Sequence, residues 1–220
     1  MAAGDLSDGL VTEIRVRLGE PTANVWLDAE VFHYLNEAQL VVAGIEALDA
    51  ALWPLSEIEN GTWVAGTSAY ALPALFLRER YVTVGGQMAR RVPVLGLDAL
   101  RSDTFFEPSL AVPFYAIIDG KLQFYTGGAD PAVLEWKLYY MKRPGVAQIT
   151  TSADPMVPKL LHDALADYAV SRCWEQALQF EQAQAARAQF TQKIEALKRR
   201  YGTGAPSDMP AGDPALRQGG

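Results

Sequence analysis

Apolar residues recur along this chain in two rhythms, and the change between them divides it. Leu10, Val11, Ile14 and Leu18 lie three or four residues apart. That spacing predicts a helix of about three turns, capped by Ser7 and closed by Gly19, with Pro21 beyond. Asp28 is placed to cap a longer helix whose apolar face is Val31, Tyr34, Leu35, Ala38, Val41, Val42 and Ile45 and whose exit is Trp53-Pro54.

From about Ile58 to Met141 the period drops to two. Tyr81 to Val84 and Met88 to Val94 flank Gly85-Gly86, and Tyr115 to Ile118 and Lys121 to Tyr125 flank Asp119-Gly120. Both dipeptides tolerate the positive φ of a two-residue hairpin turn. Leu134, Trp136, Leu138 and Tyr140 alternate with Glu135, Lys137 and Tyr139, the pattern of a strand with one buried face. Between the hairpins, Leu95 to Arg101 reads as a short helix, and Ser102 to Pro113 as a loop anchored by Phe105, Phe106 and Pro108.

The helical period then returns. A third helix is expected from near Pro158, with Leu161, Leu165, Tyr168, Ala169 and Trp174 on its apolar side. After a break near Gln179, Ala183, Ala186, Phe190, Ile194, Leu197 and Tyr201 trace the seam of a fourth. Lys198-Arg199-Arg200 complement the dipole at its C-terminal end, and Gly202 stops it. Thr203 to Gly220 is rich in Gly, Pro, Ala and Asp, so it buries too little apolar area to offset its ordering entropy and is expected to be flexible.

The fold class that follows is α+β: an antiparallel helical bundle from the N- and C-terminal helices with an inserted small antiparallel β-sheet lobe. The divisions are 1–53 for the first helices, 54–154 for the lobe, 155–202 for the last helices and 203–220 for the tail.

Charge narrows the function. Of a net −7, residues 1–60 carry 2 basic and 11 acidic side chains, and the remainder 17 basic and 15 acidic. A DNA-gripping protein draws affinity from clustered Lys and Arg, so strong phosphate binding is not expected. Two portions of opposite balance suit a heterologous contact between subunits of a ring. One cysteine, Cys173, allows no internal disulfide, and neither a secretory leader nor an apolar run long enough for a bilayer is visible; a soluble protein of a reducing compartment is expected.

Candidate chemistry is sparse. His33 and His162 lie on different predicted helices with Cys173 as the one thiol, so no zinc site and no cofactor are expected. No Walker A loop, Gly-x-Ser-x-Gly elbow or Gly-x-Gly-x-x-Gly fingerprint occurs. Glu37 is the carboxylate to test for glycoside cleavage, although an intersubunit or solvated helix face explains it more simply.

Four short motifs go with this order of segments: Leu35-Asn36-Glu37-Ala38-Gln39, Tyr70-Ala71-Leu72-Pro73, Tyr139-Tyr140 with Arg143-Pro144, and Leu161-His162 with Leu165 and Tyr168-Ala169. Together they resemble the head-to-tail adaptors of tailed bacteriophages, the family that includes the podovirus tail tubular protein A. The resemblance implies a structural, non-enzymatic virion protein, assembled in the host cytoplasm as a ring of about twelve copies. Such a ring binds the portal protein on one side and a tail nozzle or stopper protein on the other. DNA passes through its channel without sequence-specific binding, and no membrane is involved. By position it implies portal contacts at Tyr201, Pro206, Met209, Pro210, Pro214, Leu216 and Arg217, and subunit contacts at Asn36, Glu37 and Gln39. The other readings are a stopper or tail-completion protein and a peptidoglycan-cleaving hydrolase.

Overall fold

The computed structural model describes residues 5–20, 25–64, 67, 69–93, 113–125, 133–145, 149–150 and 153–202. The chain is α+β and divides into two compact units, one of residues 1–55 and 144–220, the other of residues 56–143. The expected helix at Leu95–Arg101, the aromatic-anchored loop that follows it and the tail from Thr203 lie outside the described residues, except for Pro113.

Four α-helices are described in the first unit: α1 (Asp5–Leu18), α2 (Asp28–Ala43), α3 (His162–Gln176) and α4 (Phe180–Tyr201). Helix α3 packs against each of the other three. Its residues from Ala164 to Ser171 are all buried, because small alanines let neighbouring helices approach on several sides. Ile14, Val31, Leu35, Ala38, Leu52, Leu161 and Leu165 complete this core. Gly19 closes α1 with φ +70, as its position after Leu18 predicts.

Several helix boundaries differ from expectation. Helix α1 begins at Asp5, so Ser7 is a first-turn residue and not its cap. Asp28 is the first residue inside α2; Leu27 is the cap, and its free backbone N–H is taken by the Glu30 carboxylate at 2.8 Å. Helix α2 ends at Ala43, well before Trp53-Pro54, which belong to a separate 3-10 helix at Trp53–Leu55. Gly44 ends α2, and the chain tightens into short turns that still bury Leu48 and Leu52. Gly202 does stop α4, but at φ −85 and not in the left-handed region.

The second unit holds eight described strands: β1 (Ser56–Val64), β2 (Ala69–Ala71), β3 (Phe76–Val84), β4 (Gln87–Met88), β5 (Arg90–Arg91), β6 (Phe114–Ile118), β7 (Lys121–Tyr125) and β8 (Val133–Lys142). They form two four-stranded sheets, ordered β1-β8-β3-β4 and β2-β7-β6-β5. This corrects the single antiparallel sheet expected from the hairpins, and one pairing, β5 with β6, is parallel. The reason lies at Ala89. Its N–H bonds the Val82 carbonyl at 2.8 Å, and the next two residues leave that sheet to pair with Phe114 and Tyr115.

Both predicted hairpins form. Gly85 and Gly86 have φ +56 and +77, and Asp119 and Gly120 have φ +50 and +70, the double positive φ of a type I′ turn. The two sheets share one core, in which Trp63 of β1 stacks on Phe124 of β7 at 4.9 Å and Trp136 of β8 lies 5.3 Å from the Tyr70 ring of β2. Trp136, Leu138 and Tyr140 are buried as the alternation predicts, and Met141 is buried as well.

Candidate functional site

The segment Leu35-Asn36-Glu37-Ala38-Gln39 is where α2 meets the rest of the helical unit. Leu35 and Ala38 are fully buried and set the helix against its neighbours. Their polar companions do different work. The Asn36 amide nitrogen donates to the Phe32 and Ile149 carbonyls at 2.8 and 3.0 Å, and its oxygen accepts the Ile149 N–H at 2.7 Å. Gln39 accepts the Met156 N–H at 2.6 Å. Both side chains therefore satisfy backbone groups that α3's approach segment would otherwise bury unpaired.

Glu37 points to α3. It accepts the Tyr168 hydroxyl at 2.8 Å and the Arg172 Nε at 3.2 Å. Burial first, and then that bond to Glu37, push the Tyr168 phenol up to about 12, so it is a neutral donor. Arg172 also pairs with Glu175, which in turn takes Arg187 of α4 at 3.0 Å. Nearby, Tyr34 donates to Gln176, and Gln176 donates to Glu30 at 3.1 Å. The Arg172 guanidinium stands 5.7 Å from the Tyr34 ring centroid.

A second network ties the other side. Asp167, 1% exposed on α3, is held by Arg17 of α1 and by Lys193 of α4 at 2.7 Å. Burying a carboxylate costs hydration that these two cations offset, so one acid fixes three helices to each other. Asn36, Glu37, Gln39 and Asp167 thus form a framework of internal polar clamps.

That framework decides where the sequence-predicted subunit contacts sit. Asn36 and Gln39 are 4% and 0% exposed and turn inward. Glu37 is half-buried and engaged by α3. Tyr201 ends α4, beneath the Arg200 guanidinium at 5.4 Å, whereas Pro206, Met209, Pro210, Pro214, Leu216 and Arg217 lie outside the described residues. His162 is buried, with Nε2 3.1 Å from the Val157 carbonyl, and His33 is exposed beside Tyr34. Among the described residues no group of three His, Cys, Asp or Glu side chains is placed to hold a metal ion, and no helix is long and apolar enough to cross a membrane.

Compared with known proteins, residues 6–210 match the family model described as SU10 adaptor protein. The chain belongs to the SU10 adaptor protein family. The match spans both compact units and agrees with the phage head-to-tail adaptor resemblance carried by the segment order and the four motifs. No curated protein matches the chain. Adaptor proteins of this family are structural, and an adaptor's place is in the virion, in contact with other head and tail proteins.

In this adaptor, the Leu35–Gln39 segment fastens α2 to Ile149, Met156 and α3 within the subunit. Asn36 and Gln39 sit four and seven residues after Phe32 on the helix's inner side, and that spacing was the available signal. The clamp around Asp167 left no such trace, because its partners come from helices far apart in the sequence.

Proposed function

We propose that this protein is the head-to-tail adaptor of a tailed phage, assembling as a ring of about twelve copies between the portal protein and the tail nozzle or stopper, with DNA passing through without sequence-specific binding. The family match across residues 6–210 is the observation that carries this reading. The four helices of 1–53 and 155–202 act in it as the rigid bundle of each subunit, and residues 54–154 as its β-rich lobe. An internal framework of clamped carboxylates and amides suits a part that must bear load without catalysing anything itself.

Portal docking is assigned to the segment from Tyr201 through Arg217, with Pro206, Met209, Pro210, Pro214 and Leu216 as contacts. Docking through a Gly/Pro-rich segment carries an ordering cost that a preformed portal surface has to offset, which suits staged assembly. A net charge of −7 also fits a conduit that must not hold phosphates.

Electron microscopy of the portal ring from the same virus, mixed with full-length chain or with a chain ending at Tyr201, tests the proposal. A second ring on the portal with full-length chain, lost on truncation, supports both the adaptor role and the docking segment. A ring retained on truncation moves docking elsewhere, and no ring with either chain overturns the reading.

A further inference from the structure

One end of the helical unit is apolar where nothing in the fold requires it. Trp26 meets Trp174 at 5.4 Å and Glu30 bonds Gln176, so the start of α2 lies beside the end of α3. Around that meeting point Val25, Leu27, Leu178 and Phe180 are 68%, 61%, 72% and 60% exposed. Single exposed apolar residues are ordinary, but four gathered at one end mark an interaction surface.

Leu178 is the most telling of them. The Leu178 N–H bonds Glu175 O at 3.0 Å and the Gln179 N–H bonds Trp174 O at 2.9 Å, which is a Schellman closure of α3. Leu178 takes the left-handed position of that closure at φ +59, where glycine is the usual residue. A branched side chain there costs conformational energy and then displays itself to solvent, so the fold gains nothing from it.

At the other end of α4 is a groove of about 240 Å³, with apolar walls from Leu160, Ala164, Ala196 and Leu197 and the Asp163–Lys193 pair at its rim. The two ends also differ in charge. Asp28, Glu30 and Glu181 shoulder the apolar end, and Lys198, Arg199 and Arg200 follow the groove. Phe180 and Leu197 stand on one rigid helix, about 25 Å apart at 1.5 Å per residue, so a chain cannot place its own apolar end in its own groove.

We infer that the Leu178–Phe180 turn of one subunit seats in the α3/α4 groove of a second copy of this chain, with the acidic shoulders of the first facing Lys198-Arg199-Arg200 of the next. The contact joins two different patches, so it is heterologous and repeats from copy to copy until the ring closes. It rests on the ring reading above and names the surfaces that build the ring. Its charged rim weakens as salt rises, while its apolar centre does not.

Cysteine pairing tests it. The native Cys173 is buried, and burial pushes its thiol up to about 12, so it stays unreactive at neutral pH. Full-length chain carrying L178C with A196C is mixed with the portal ring of the same virus, oxidised mildly and run unreduced, beside each single variant and alongside native mass spectrometry of the unmodified chain. The expected result is a covalent ladder beyond dimer from the double variant alone, since sites this far apart within a chain cannot bridge. Oligomers of unmodified chain without a ladder overturn this contact and leave the ring reading standing; no oligomer of the unmodified chain overturns both. L178G gives an independent readout, with folding retained and assembly weakened about tenfold. Unchanged assembly, or lost portal binding with the ring intact, overturns the inference.

Discussion

Asn36 exchanges two hydrogen bonds with the backbone of Ile149, a residue 113 positions away and 1% exposed. A side-chain amide is the one short group that offers a donor and an acceptor side by side, so it replaces a missing strand partner for that peptide. The chain returning from the β-rich segment is fastened there to the second helix. Asn36→Ala should cost about 2–4 kcal/mol, because a buried N–H and C=O both lose their partners. Asn36→Asp keeps the acceptor, loses the donor and should also destabilise. Urea unfolding of the two variants measures both effects.

Gly61 is placed directly opposite Trp136 in the β1–β8 pairing, and the indole lies across it. A Cβ at position 61 would fall within the space of the indole ring. Trp136 is itself held by Phe124 and Tyr70, so it has little freedom to withdraw. Gly61→Ala should destabilise the two-sheet unit by about 1–3 kcal/mol, as overpacking does. Gly120→Ala strains only a turn with open space around it and should cost less, about 1 kcal/mol. Near-ultraviolet circular dichroism through a denaturant series separates the two.

What was legible in the sequence follows from locality. The Asp119-Gly120 turn declared its hairpin because two adjacent residues set both the positive φ and the register. The Trp136-Leu138-Tyr140 face was legible because a strand repeats every two residues. The switch of sheets at Ala89 was not, since a single small residue in a continuous extended run marks it. Helix starts were misplaced for a similar reason: Ser7 and Asp28 are good caps by type, but the α2 cap is supplied by Glu30 reaching back to the Leu27 N–H. Asn36 and Gln39 enter the sequence reading as members of the Leu35–Gln39 motif, with subunit contacts as the expectation. Their partners, Ile149 and Met156, are fixed only by the tertiary fold.

His162 gives the helical unit a pH dependence of predictable sign. The ring is 7% exposed and lies 3.1 Å from the Val157 carbonyl, to which a neutral imidazole donates. Burial holds its pKa below the usual 6.5. The unfolded chain therefore takes up the proton first as pH falls. The contribution of the neutral ring is complete above about pH 6.5 and is lost as pH drops from there towards the folded-state value, with a slope of at most about 1.4 kcal/mol per pH unit. Glu57, held below its usual 4.5 chiefly by Lys142, responds only at lower pH. Urea midpoints should fall between pH 7 and 5, and His162→Gln should flatten that fall.

Leu178 allows stability and assembly to be pulled apart. In the free subunit its backbone sits at φ +59, a region that costs a branched L-residue about 1–2 kcal/mol. Its side chain recovers little of that, being 72% exposed. Glycine removes the conformational cost and gives back part of the gain through its freer unfolded state. Leu178→Gly should therefore raise the stability of the subunit by about 0.5–1 kcal/mol, read as a higher thermal midpoint. Most core or surface-to-glycine changes destabilise, so the sign is diagnostic. A lower midpoint would mean that the leucine supports its own subunit and that its exposure serves no neighbour. A higher one, with weaker self-association, would show that the chain gives up stability at this turn to keep an apolar side chain available for another copy.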